Sequence, residues 1–166
     1  IFVYFLLAAQ YESYLVPLSV LFSLPVGIAG AIGFVHFAGL ENNIFFQVTL
    51  IMLIGLLSKN AILIVEFALQ RRRHGLSLYQ SAIDGAKARL RPILMTSFAF
   101  IFGLLPLALA GGVGAVGNRS IGTGAVGGML VGTLVGVLVI PILFVIFQSL
   151  QELVGKKPSE DDPEIL

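Results

Sequence analysis

Ile44-Phe-Phe-Gln-Val-Thr-Leu-Ile-Met-Leu-Ile-Gly-Leu-Leu-Ser-Lys59-Asn-Ala-Ile-Leu-Ile-Val-Glu66-Phe-Ala-Leu69 is almost wholly apolar. At 1.5 Å per residue it is long enough to cross a bilayer core of roughly 30 Å. Lys59 sits well inside it. An ammonium at that depth costs at least about 2.5 to 3.5 kcal/mol on insertion scales, and snorkelling relieves little of this about a dozen residues from the nearer flank. Such a residue needs a partner or a task.

Composition agrees with a membrane environment. Hydrophobic residues make up 57% of the 166-residue chain and charged ones only 11%, against roughly 25% charged in a soluble domain. The formal net charge is +1, so bulk electrostatics gives no argument for nucleic acid, and the absence of cysteine excludes disulfides and thiolate metal sites.

On the N-terminal side, Ile1 to Ala9 is apolar but too short to span a bilayer, and no basic segment precedes it as in a signal peptide. Residues 1–13 therefore read as the end of a longer helix, which makes the chain an expected part of a larger protein. Leu15 to Leu40 is the first complete span, with Pro17, Pro25 and small residues at Gly27, Gly30 and Gly33 that suit close helix packing. His36 shares its face with no second ligand and reads as interfacial. The polar turn Glu41-Asn42-Asn43 sends the Lys59 span back antiparallel to the first.

On the C-terminal side lies Arg71-Arg72-Arg73-His74, which with Lys87, Arg89 and Arg91 puts six of the ten basic residues in one short connection; Lys156 and Lys157 of the tail lie on the same side. The positive-inside rule makes that side cytoplasmic. Ser77 and Gln80 form a capping-box pattern, and Leu78, Tyr79, Ala82, Ile83, Ala86 and Leu90 recur at helical spacing, so residues 77–91 are predicted to be an interfacial helix that Pro92 separates from the next span. Ile93 to Ala110 is that span. A Gly-rich loop at Gly111 to Ser120, containing Arg119, leads to a last span from about Ile121 to Phe147. Gly112, Gly114 and Gly117 match a dinucleotide fingerprint only as letters, because no strand precedes them. Gly124, Gly128, Gly132 and Gly136 form a ridge at four-residue intervals, and the polar tail, residues 151–166, is predicted to be disordered.

Lys59 reads either as a structural lysine or as one member of a charge cluster whose protonation drives a conformational change. Glu66 is a poor counter-ion, seven residues on and about 10 Å along the same helix. Glu12 and Glu41 lie at the surfaces, which leaves the partner carboxylate to another segment. Glu66 itself faces the basic cluster and is read as structural. Arg89 and Thr96, seven residues apart, share a face if helix continues through Pro92; Arg can hold a carboxylate bidentately and Thr can pass or stabilise a proton.

Phe46-Gln-Val48, Lys59-Asn-Ala-Ile-Leu-Ile-Val-Glu-Phe-Ala68, Arg89-Leu-Arg-Pro-Ile-Leu-Met-Thr-Ser97, Gly127-Gly-Met129 and Pro141 together resemble the C-terminal membrane region of the resistance-nodulation-division transporters, drug-efflux branch. The resemblance covers nearly the whole chain except the tail. It implies the end of an eighth span followed by spans nine to twelve of a twelve-span protomer. It also implies a proton relay in which Lys59 contacts paired aspartates on the fourth span, with Arg89 and Thr96 as further members. Family members often carry Ser-Ala where this chain has Leu57-Ser58, which moves the hydroxyl by about 100° around the helix and puts a relay role for Ser58 in doubt.

The expectation is an all-α, polytopic membrane protein with four complete spans, the end of a fifth and one interfacial helix. Residues 15–150 would form the membrane domain. By resemblance it belongs to a proton/substrate antiporter of a bacterial inner membrane, working as a homotrimer with a periplasmic adaptor and an outer-membrane channel. The coupling ion is H+; no cofactor, metal or enzymatic activity is expected. A related exporter of lipid or protein, or a non-transporting structural subunit, is the alternative, and the latter would not need Lys59. Substrate identity is not legible.

Overall fold

The computed structural model describes residues 1–154. Five helices follow in order: α1 (Phe2–Tyr11), α2 (Val16–Phe37), α3 (Ile44–Arg73), α4 (Leu78–Ala108) and α5 (Ala115–Val154). The last four are each long and apolar enough to cross a membrane. Among the described residues there is no strand.

The helix boundaries follow local chemistry. Asn43 caps α3, its side-chain oxygen accepting from Phe46 N at 2.9 Å, and its amide donates to Ser120 Oγ on α5 at 2.8 Å. That satisfies one orphan N–H and ties the α2–α3 turn to the start of α5. Ser77 caps α4 by accepting from Gln80 N at 3.3 Å, as the capping pattern predicts. At the opposite end of the bundle Arg72 forks onto Glu152 with Nε–Oε1 at 2.9 Å and Nη2–Oε2 at 3.1 Å, and Ser13 Oγ donates to Gln151. The α1–α2 junction, the end of α3 and the end of α5 therefore meet at one end of the molecule.

Three boundaries differ from the sequence expectation. Helix does not break at Pro92: α4 runs unbroken from Leu78 to Ala108, so residues 77–91 are the first half of one helix and not a separate element. Proline removes one backbone hydrogen bond and costs about 3 kcal/mol in a helix interior. Burial of Ile93, Ser97 and Ile101 just beyond it offsets that loss. The Gly-rich loop is shorter than expected, because α5 starts at Ala115 and Arg119 is helical. At the other end α5 continues to Val154, so residues 151–154 of the expected tail are helical; the rest of that tail lies outside the described residues.

Small residues set the packing. A Cβ added to Gly132 would lie 3.2 Å from Gly27 Cα, and one on Gly128 would meet Ala31 Cβ at 3.0 Å and the Gly27 carbonyl at 3.2 Å. Gly27 of one row thus meets Gly128 and Gly132 of the other across α2 and α5, and Leu57 of α3 packs into the gap they leave. Gly85 plays the same part between α4 and α3, where a Cβ would lie 2.9 Å from Ala68 N. Gly33 has nothing within 4 Å and does not belong to the contact. Gly128→Leu is accordingly expected to destabilise the bundle by about 1–3 kcal/mol or to prevent its assembly, by overpacking. Gly33→Ala should leave stability unchanged or slightly raised. Thermal unfolding of the detergent-solubilised protein checks both.

Candidate functional site

Lys59 lies at the middle of α3, and its side chain belongs to the face formed by Leu56, Lys59, Asn60 and Leu63. Positions three, four and seven apart share one side of a helix, so this face follows from sequence spacing alone. The matching face of α4 carries Arg89, Pro92, Ile93, Thr96 and Phe100, at the same kind of spacing. This face exists only because α4 is continuous through Pro92. The two faces enclose an open cleft of about 210 Å³, to which α5 contributes Met129.

Lys59, Arg89 and Thr96, chosen from sequence, therefore line one cleft. Two of them are cations, and no acidic residue is among its lining. Lys59 and Thr96 are exposed within this chain, and Arg89 is half-buried. The lysine is thus not enclosed by these five helices: its ammonium faces a cleft that is open to whatever packs against α3 and α4.

The details of each side chain narrow what it can do. Arg89 lays its guanidinium 5.2 Å from the centre of the Phe67 ring, and Arg71 lies 5.1 Å from the same ring. Such stacking is worth about 0.5–2 kcal/mol and orients the guanidinium. Arg89 Nε is nevertheless buried with no hydrogen-bond partner among the described residues, which leaves a charged donor uncommitted there. Thr96 donates its hydroxyl back to its own helix, at 3.1 Å from Pro92 O and 3.0 Å from Ile93 O, and keeps its lone pairs for an incoming donor. Ser58 donates to Ile54 O at 2.6 Å and is not part of the cleft lining.

Glu66 is absent from the cleft lining, so it is no substitute for the missing carboxylate. Within the basic cluster Arg72 pairs with Glu152, and no ion pair of Glu66 occurs among the described residues. A polar residue of the cleft that sequence reading overlooked is Asn60. Its side-chain nitrogen is buried without a partner among the described residues, and the signal was there in an amide placed beside Lys59 in an apolar helix. No group of three or more His, Cys, Asp or Glu residues that could hold a metal occurs among the described residues.

Four apolar helices long enough to span a bilayer, with a lysine and an arginine turned into a cleft between two of them, define a polytopic membrane protein with ionisable groups at depth. The family follows from comparison. Residues 1–148 match the model of the AcrB/AcrD/AcrF family. The toluene efflux pump membrane transporter TtgB of Pseudomonas putida is 46% identical over 162 residues, 98% of this chain, and the solvent-resistant pump membrane transporter SrpB of the same species is 47% identical over 159 residues, 95% of this chain. Multidrug resistance protein MdtF of Escherichia coli K12 is 44% identical over 149 residues, 89% of this chain. These matches cover 15%, 15% and 14% of the relatives' own lengths, so the chain spans about one seventh of the curated relatives it matches. The chain belongs to the AcrB/AcrD/AcrF family of resistance-nodulation-division efflux transporters.

Proposed function

We propose that the chain forms the cationic half of an intramembrane proton relay in a proton-driven efflux pump, with Lys59 as the switchable charge and Arg89 and Thr96 as its neighbours. The observation that carries this reading is the cleft in which the three residues meet without an acidic group. Two cations facing one low-dielectric opening repel each other and are poorly solvated, so the opening favours an anionic occupant. A pair of aspartates on another helix of the same transporter supplies that occupant. While the carboxylates are ionised they hold the ammonium; when they take up protons the attraction ends, Lys59 is released, and α3 and α4 shift against the helix that carries them. Thr96, with its lone pairs open to the cleft, accepts from the displaced ammonium or from a water.

In this reading the transporter sits in a bacterial inner membrane with the Arg71–Arg73 end of α3 and the end of α5 in the cytoplasm. It works as a homotrimer with a periplasmic adaptor and an outer-membrane channel. H+ is the coupling ion and no cofactor takes part. The names of the relatives, which include toluene and solvent pumps, support hydrophobic small molecules as cargo.

The test is transport by the full-length protein in proteoliposomes, with a membrane-permeant dye as cargo and an imposed pH gradient. Flux should follow the gradient and collapse with a protonophore. Ser58→Ala should transport like wild type, whereas Thr96→Ala should lose most gradient-driven flux. Equal flux with and without the gradient would remove the proposal.

A further inference from the structure

Behind the cleft lies a second, smaller cavity, lined in part by Ser23 of α2, Asn60 of α3, and Thr133 of α5. It offers about 10 Å³ to the centre of a water-sized sphere, close to the roughly 10–15 Å³ that one water molecule needs. Asn60 and Ile93 belong to the lining of both cavities, so the two spaces adjoin at α3 and α4.

We propose that this cavity is a binding site for a single water molecule, held by Asn60, Thr133 and Ser23. Three independent features of hydrogen bonding place it. Asn60 Nδ2 is buried and donates to nothing among the described residues, and a buried donor left unmade is costly. Thr133 Oγ1 spends its proton on Ser97 Oγ, 2.8 Å away in a buried pair, and so has lone pairs free to accept. Ser23 Oγ donates to Val20 O at 2.6 Å and is likewise left with acceptor capacity. A water in the cavity accepts from Asn60 and donates to Thr133 and Ser23. That gives it three partners, the usual number for a buried water.

The consequence is a polar path longer than the cleft. It runs from the Lys59 side of Asn60 through the water to Thr133 and on to Ser97, and so connects α3 to the α4–α5 contact beside the glycine seam at Gly132. Dry, the same space would be a defect in an otherwise apolar packing. This inference does not rest on proton coupling, since the water is fixed by unmade hydrogen bonds and would be present in a structural subunit too.

The experiment is solid-state NMR on the full-length transporter in proteoliposomes with 15N-labelled asparagine, measuring magnetisation transfer from water to the Asn60 side-chain amide. Transfer is expected in wild type and in Thr133→Ser, and is expected to be lost in Thr133→Val, which keeps the shape and removes the acceptor. Absence of transfer in wild type, or equal transfer in Thr133→Val, would overturn the site. Should the valine variant fail to assemble, a map of the wild-type protein at a resolution that shows ordered waters decides. A peak within hydrogen-bond distance of Asn60 Nδ2 and Thr133 Oγ1 supports the proposal, and a cavity without density refutes it. Proton-driven flux is read separately, so its loss or survival does not bear on the water.

Discussion

Lys59→Met in the full-length transporter is expected to abolish proton-driven efflux while leaving the protein folded, membrane-inserted and assembled. Methionine matches the length of the lysine stem and removes the charge, and the side chain it replaces is exposed to the cleft and makes no hydrogen bond within the described residues. Loss of packing is therefore small. What changes is the protonation of the carboxylates proposed to face it. Without an ammonium beside them, desolvation keeps them neutral across the working pH range, and a group that never ionises cannot cycle. Lys59→Arg retains the charge but exchanges a compact ammonium for a planar fork, so it should keep insertion and charge without supporting efficient transport. Drug accumulation in a strain lacking its own pump, alongside membrane yield and oligomer state, separates this outcome from misfolding. A Lys59→Met protein that pumps normally would make the lysine structural.

Arg89 is expected to be nearly as sensitive, for a different reason. Its Nε is a buried charged donor with no partner among the described residues, while its guanidinium is already oriented over Phe67 at 5.2 Å. A hydrogen bond to a charged group contributes about 1.5–3 kcal/mol, so Arg89→Ala should lower proton-driven flux by roughly ten- to a hundredfold if that donor serves the relay. Arg89→Lys should not rescue it, because an ammonium lacks both the fork and the planar face. Phe67→Leu removes only the stacking surface and should have a smaller effect in the same direction. The ratio of these effects, measured as initial flux in proteoliposomes at one imposed gradient, distinguishes a charge that acts from one that merely packs.

The helices were legible because the apolar runs and their polar punctuation are local. Asn43 and Ser77 cap the helices that follow them, and the four spans fall close to the expected places. The glycine rows were legible as rows, but not in their register: Gly27, Gly128 and Gly132 meet, whereas Gly33 lies away from the crossing. Spacing along one helix does not say where a second helix crosses it. Pro92 was misread as a boundary because the local penalty is visible in sequence and the burial of Ile93, Ser97 and Ile101 that offsets it is not. The same continuity is what places Arg89 and Thr96 on one face, so the candidate site depends on the feature that local reasoning discounted. Asn60 and the Ser97–Thr133 pair were missed because their significance is relational, arising from a buried donor left unmade and two hydroxyls meeting across helices.

Only 11% of the most apolar window of α4 is buried within the chain, so most of this helix, like the open side of the cleft, is surfaced by something other than α1–α5. Lipid can cover its apolar part at no electrostatic cost. Lipid tails cannot satisfy Lys59 or the free donor of Arg89, and a polar partner at that depth is required.

The most direct measurement is an experimental structure of the full-length transporter, read at Lys59. The account predicts at least one carboxylate oxygen from a helix outside residues 1–154 within 4 Å of Lys59 Nζ in one conformational state, and separated from it in another. An ammonium that faces hydrocarbon in every state, with no acidic side chain near the cleft, would contradict it.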